Sequence, residues 1–258
     1  MSIRDVLRDL SPPLFWRAAA RLRRSQASDN YGAWGDYASY EAAAQAGGTY
    51  DKPAILTKTA ELTRAISPGT EISAINIRLL AALQFAMRDQ SATSILDFGG
   101  ALGGHYFYLR HLLPPVTRWT VVEMPATARL GSAEFADGTL VFEPEPKGAP
   151  DVILASTALQ YTPSPYDYLS ALQALGASFL IVDRVPLLPD DRWTLQSVHP
   201  SVFGEVVAFP QFYFSATAFR AAVTRGYTIV MEWTLPGYEA HLDGRQHDIY
   251  RGFLLRRS

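Results

Sequence analysis

The sequence contains no cysteine. That excludes disulfides, thiolate metal sites and cysteine nucleophiles. It agrees with a reducing compartment, so a cytoplasmic location is expected. Also missing is any uncharged apolar run of about 18 residues, the length a helix needs to cross a bilayer. Arg4, Asp5, Arg8 and Asp9 interrupt the stretch in which a secretion signal would need its apolar segment. Neither sign of charge dominates: 23 Lys and Arg face 25 Asp and Glu. This balance gives no global attraction for nucleic acid, and no nucleic-acid partner is expected. His241 and His247 lie six positions apart in a polar loop. That is not a helical ligand spacing, so no metal site is expected.

What is present is enough apolar material for a sizeable core. Of 258 residues, 48% are hydrophobic, which suits one α/β domain with an added segment. The pattern changes near residue 90. Residues 1–90 read as helices with loops, forming a cap or a homodimer contact. Ser11-Pro12-Pro13 opens a helix that would carry Leu14, Phe15, Trp16 and Leu22 beside Arg17, Arg21, Arg23 and Arg24. It reads as a packing helix with a solvated face. The alternative is peripheral contact of residues 11–24 with anionic membrane lipid. Turns are expected at Asn30-Tyr31-Gly32 and Gly47-Gly48, and helices over 54–66 and 73–88.

Residues 91–258 alternate short apolar runs with helical stretches, the period of a βαβ protein. Strands are predicted at 94–98, 119–122, 140–142, 152–155 and 179–182. Helices are predicted at 106–113, 127–135, 166–175 and 216–225. Two last runs, 228–233 and 250–255, would close the sheet as an antiparallel pair. The expected architecture is a doubly wound, mostly parallel, seven-stranded sheet.

The most informative segment is Ser94-Ile95-Leu96-Asp97-Phe98-Gly99-Gly100-Ala101-Leu102-Gly103-Gly104-His105. A strand runs into a glycine loop and a helix follows. Ligands of open α/β sheets bind at the carboxyl ends of strands, and glycines there let the main chain approach a ligand closely. A dinucleotide would need Gly-x-Gly-x-x-Gly, but with Gly99 as the first glycine, Ala101 occupies the place of the second. Asp97 would also repel a pyrophosphate. S-adenosylmethionine carries an ammonium in place of phosphates, and a carboxylate attracts it directly or through water. Glu123 ends the next strand, where an acid can accept hydrogen bonds from both ribose hydroxyls. Met124 can pack on the adenine.

Leu96–Gly103 together with Glu123 resembles the first two motifs of class I S-adenosylmethionine-dependent methyltransferases. Tyr37–Ala43, Tyr50-Asp51, Ser156–Tyr161 and Val182–Pro186 resemble a narrower family of bacterial methyltransferase-like proteins associated with surface-polysaccharide gene clusters. The resemblance implies a Rossmann-like methyltransferase fold over 91–258. It implies that Asp97, Gly99, Gly100 and Gly103 cradle the methionine part of S-adenosylmethionine. It further implies that Glu123 holds the ribose and that Ser156 and Thr157 line the site near the reacting methyl. Ala101 departs from the glycine that many such enzymes carry. Glu143 is the candidate adenine contact.

Methyl transfer is an in-line displacement with a neutral leaving group, so alignment and desolvation supply much of the catalysis. A hydroxyl acceptor gains from a general base. His105 opens the helix after the glycine loop, and His199 lies in a segment after the fifth strand, where loops overhang such sites. Both are candidate catalytic residues. Tyr161, Asp183, Arg184 and Tyr213 are candidate substrate contacts. The expected activity is methylation of a small molecule or glycan, on oxygen. A catalytically silent methyltransferase-like subunit and a nicotinamide-dependent oxidoreductase are the competing readings, and the dinucleotide fingerprint that the second needs is absent.

Overall fold

The computed structural model describes residues 32–50, 52–66, 74–89 and 93–258. The expected helix over 11–24 lies outside these residues. The chain runs from β1 (Gly32–Tyr37) through α1 (Tyr40–Gly47), α2 (Pro53–Arg64) and α3 (Ala74–Met87) into β2 (Thr93–Phe98). The glycine loop leads to α4 (Gly104–Leu109), β3 (Val116–Val122), α5 (Pro125–Glu134), β4 (Leu140–Glu143) and β5 (Val152–Ser156). There follow α6 (Pro165–Ala174), β6 (Phe179–Leu188), β7 (Arg192–Val198), α7 (Pro200–Phe203) and β8 (Val207–Ser215). The chain closes with α8 (Ala216–Val223), β9 (Tyr227–Thr234), β10 (Ala240–Leu242), β11 (Arg245–His247) and β12 (Tyr250–Arg257).

Seven strands form the expected sheet, in the order β4-β3-β2-β5-β6-β12-β9. Those from β4 to β6 are parallel, whereas β12 runs antiparallel between β6 and β9. Every residue of β5 is buried, as a parallel strand covered on both faces requires. One core cluster unites α3, α4 and α5 with Ile95, Trp119 and Leu154. A second, on the opposite face, unites α6 and α8 with Leu96, Ile153 and Phe253. The strand order reverses beside β2, so the carboxyl ends of β2 and β5 open onto the crevice where such sheets bind ligands.

A second sheet was not expected. The ten-residue β6 continues past the main sheet, and its Leu187 and Leu188 pair with Phe214 and Ser215 of β8. From there the order continues β8-β7-β1-β10-β11. The reading of residues 1–90 as helices and loops is therefore corrected at β1, which pairs with β7 and β10. The expected helices over 54–66 and 73–88 are observed as α2 and α3. Among the described residues, no helix is long and apolar enough to cross a membrane.

Candidate functional site

The glycine loop turns sharply because three alternate residues take positive φ. Gly99 has φ +69° and Gly103 φ +83°, and Ala101 itself adopts φ +51°. A side chain at Gly99 would meet the Ala158 Cβ at 2.5 Å, so β5's exit and the loop close on each other there. Ala101 is the departure noted in the sequence. It takes a left-handed conformation, which costs a non-glycine residue of order 1–2 kcal/mol.

Asp97, at the end of β2, is fully buried. Its Oδ2 is 3.1 Å from His105 Nδ1 and accepts from Trp119 Nε1 at 3.2 Å. Its Oδ1 is buried without a partner. A Cβ on Gly100 would fall 2.5 Å from the carboxylate carbon, so glycine is required where the loop passes over the acid. With Nδ1 facing the carboxylate, the tautomer assigned to His105 carries its proton there and leaves Nε2 as an acceptor.

Glu123 closes the other side of the loop. It accepts from Ala101 N at 3.1 Å and Met124 N at 3.0 Å. Burial raises its pKa above the ordinary 4.5. The two backbone donors oppose that rise and the Asp97 charge adds to it.

Beside Glu123 lies a cleft of about 480 Å³, bordered by Phe98, Glu123, Met124, Thr157, Ala158 and Tyr161. Met124 is one of the few exposed large apolar side chains. Pro144, Glu145 and Pro146 line the cleft beyond β4. Glu143 does not: its carboxylate is held by Lys147 at 2.8 Å and approached by Arg118 at 3.8 Å. A second lobe of about 380 Å³ lies between the loop, α2 and α3, and includes Gly99, Gly100, His105, Asn76 and Arg184. The N-terminal segment adds Tyr40 and Tyr50 to the main cleft. Tyr50 stacks on Tyr161 at 5.7 Å, and burial, with help from Glu123, pushes its phenol up to about 12.

The candidate substrate residues separate. Asp183 is buried and paired, with Ser156 Oγ donating to its Oδ2, Trp233 Nε1 donating to its Oδ1 and Arg184 Nε 3.3 Å from Oδ2 as an ion pair. Ser156 is thereby turned into the sheet, while its neighbour Thr157 (φ +57°) reaches the cleft. Arg184 (φ +57°) stands at the cleft edge, donating to Asn76 Oδ1 at 2.6 Å. Tyr161 borders the cleft, but its hydroxyl is buried and donates to Gln196 Oε1 at 2.8 Å. Tyr213 lies on β8 in the second sheet. His199 caps the short α7, its Nδ1 accepting from Ser201 N at 3.2 Å, and does not line either lobe. The expected overhanging loop is the β7–β8 hairpin, which carries His199 to its far end. Sequence reasoning singled out no role for Asn76, Gln196 or Tyr238, which reach this region only through tertiary pairing.

The partnerless Asp97 Oδ1 beneath a glycine cradle fits an ammonium donor, and Glu123 presents a second carboxylate across the loop. These features suit a cationic amino-acid moiety joined to a ribose.

No family model matches the chain, and no curated protein matches it. Among solved structures, the glycopeptide N-methyltransferase MtfA complexed with S-adenosyl-L-methionine aligns with 82% of this chain and 100% of its own, at 11% identity and TM-score 0.47. CalS10, an amino pentose methyltransferase from Micromonospora echinaspora, aligns with 79% of this chain and 97% of its own, at 15% identity and TM-score 0.48. An S-adenosylmethionine-dependent methyltransferase from Mesorhizobium loti aligns with 72% of this chain and 99% of its own, at 12% identity and TM-score 0.48. Likeness at this level assigns neither ligand nor reaction, so the functional reading rests on the site itself.

Proposed function

We propose that this chain is an S-adenosylmethionine-dependent methyltransferase acting on the oxygen of a small-molecule or glycan acceptor. The observation that carries the reading is the pair of carboxylates on either side of the Gly99–Gly103 loop: Asp97 buried with Oδ1 partnerless, and Glu123 bonded to the loop amide of Ala101. When bound, S-adenosylmethionine would supply a sulfonium methyl to an acceptor oxygen: the O–C bond forms as the S–C bond breaks, the neutral thioether leaves, and the hydroxyl proton passes to a base.

Each residue then has a distinct task. Asp97 Oδ1 receives the ammonium, while its Oδ2 stays committed to His105 and Trp119. The Arg184 guanidinium stands at the same lobe of the cleft as the loop and meets the carboxylate of the methionine part. Glu123 accepts from the ribose hydroxyls. Met124, Pro144 and Pro146 supply an apolar slot for the adenine, with Glu145 between the two prolines. His105 is held by Asp97 with Nε2 free to accept, so it is the candidate general base. The aromatic wall of Tyr50, Phe98 and Tyr161 excludes water, which strengthens the two acids' attraction for a cation.

Calorimetric titration with S-adenosylmethionine and S-adenosylhomocysteine, with NAD as the control, tests the reading. Micromolar binding of the first two and none of NAD is expected. Asp97→Asn keeps the shape and removes the charge, and should weaken S-adenosylmethionine by on the order of 10- to 100-fold, the worth of one charge-assisted hydrogen bond. Unchanged affinity in that variant, or binding of NAD alone, would overturn the assignment.

A further inference from the structure

A separate cavity of about 370 Å³ lies where the two sheets diverge. Its wall is unusual for buried strands. On β7 and β8, Thr194 pairs with Gln211. Alternation and register therefore put Arg192, Thr194, Gln196, Phe209, Gln211 and Tyr213 on one face. The opposite face carries Trp193, Leu195, Phe212 and Phe214. Thr194 and Gln211 are essentially inaccessible, at 0% and 1% relative exposure. These buried groups are paired with one another: Thr194 Oγ1 donates to Gln211 O, and Gln211 bonds to Tyr250 and Tyr213.

The polar atoms are arranged with capacity to spare. Gln211 donates to the Tyr250 hydroxyl at 3.2 Å and accepts from Tyr213 at 3.4 Å, a long bond. Tyr250 therefore accepts from Gln211 and keeps its own proton to donate. Gln196 uses its carbonyl on Tyr161 and retains its amide donors. Burial raises the phenols of Tyr213, Tyr238 and Tyr250. They stay protonated as neutral donors and cannot serve as bases near neutral pH. Tyr238 and Tyr250 also meet edge to face at 4.8 Å, offering ring surface.

One hydrogen bond links the wall of this cavity to the wall of the cleft at the glycine loop: the Tyr161 hydroxyl donates to Gln196 Oε1. Thr157, whose buried Oγ1 has no hydrogen-bond partner, lies beside Tyr238 in the same wall. Tyr161 and Thr157 line the cleft, while Gln196 and Tyr238 line the cavity. No Lys or Arg lines the cavity among the described residues, and Glu239 does. His241 also lines it, and two arginines stand beside its tyrosines, but both are already ion-paired: Arg192, opposite Tyr213, with Asp243, and Arg184, 5.8 Å from the Tyr238 ring, with Asp183. A phosphate or carboxylate there would compete with those carboxylates and meet Glu239.

Resting on the reading of the cleft given above, we infer that this cavity is the acceptor site and that it takes an uncharged, hydroxyl-rich ring of monosaccharide size. Its volume falls at the lower end of the range of about 300–1,000 Å³ for small-molecule sites. Neutral amides and phenols match ring hydroxyls, and the Tyr238 and Tyr250 ring surfaces match the apolar face of a pyranose. The Tyr161–Gln196 pair marks where a ring in the cavity would come nearest the cleft.

Saturation-transfer NMR with methyl β-D-glucopyranoside and N-acetylglucosamine tests the inference, using full-length protein saturated with S-adenosylhomocysteine. Glucose 1-phosphate and phenol serve as the contrasting probes. The neutral pyranosides should receive saturation and the phosphate should not. Tyr250→Phe and Gln211→Leu should each weaken the pyranosides about two- to tenfold, the worth of one hydrogen bond, with S-adenosylhomocysteine affinity unchanged by calorimetry. If Gln211→Leu does not fold, Tyr250→Phe decides alone, because it removes one oxygen. The acceptor assignment fails if S-adenosylhomocysteine binds but no pyranoside does, if glucose 1-phosphate or phenol binds better, or if pyranoside affinity ignores Tyr250→Phe. Failure of S-adenosylhomocysteine to bind sinks the cofactor reading instead. Pyranoside binding that depends on Tyr250 would then still support a sugar site.

Discussion

At the scale of single residues, Glu123 is pulled in opposite directions. Burial and the nearby Asp97 charge disfavour its ionised form, while the backbone donors of Met124 and Ala101 favour it, and the net effect is a raised pKa. A carboxyl raised in the folded state contributes stability at low pH that is lost as pH rises from its ordinary value through the raised one. Cofactor binding should run the other way, since the ionised form is the better acceptor for ribose hydroxyls. S-adenosylhomocysteine affinity is therefore expected to climb with pH from about 4.5 upward and then level off. Glu123→Gln should flatten that slope and lower affinity at neutral pH by on the order of 10- to 100-fold. Calorimetry at several pH values reads both effects, and a variant as pH-dependent as the parent would place the titration elsewhere. Asp97, Gly99 and Glu123 were legible because strand, loop and strand end are local patterns. The pairing of Asp183 was not: it depends on Ser156 lying opposite Asp183 and on Trp233 arriving from β9.

At the scale of elements, the main sheet was readable from the alternation of apolar runs and helices, to within a few residues at each end except at β6, which runs six residues past the predicted 179–182. The inserted sheet was missed although Arg192–Val198 alternates Trp193, Leu195 and Val198 with Thr194, Gln196 and Ser197 in all but its last step. Pro200 and Pro210 obscured it, since proline inside a run argues against a strand. Here Pro210 lies within β8, opposite Leu195. One close approach fixes how β9 lies on β12. A Cβ at Gly252 would come within 2.0 Å of the Trp233 ring, whose Nε1 holds Asp183. Gly252→Ala should force that indole aside, leave a buried carboxylate oxygen short of a donor, and cost about 1–3 kcal/mol. Denaturant unfolding measures it, and an unchanged midpoint would mean that the indole has room to move.

At the scale of the molecule, β6 belongs to both sheets. Its first residues pair with β5 and β12, and its last two with β8. The second sheet also packs on residues that border the cleft, through Tyr50, Tyr161 and Phe209. Two sheets that share a strand and a wall have little means of unfolding independently, so one cooperative transition is expected in spite of the chain's length. S-adenosylhomocysteine at about 100 times its dissociation constant should stabilise the fold by about 2.7 kcal/mol. That corresponds to a rise in melting temperature of roughly 5–10 °C for a protein of this size. The rise should appear equally in both sheets, although the ligand touches only the cleft. Hydrogen exchange read separately on β3 and on β7–β8 distinguishes the cases. Protection gained in β3 alone would mean that the inserted sheet opens on its own, and the shared β6 would then be a hinge between two units.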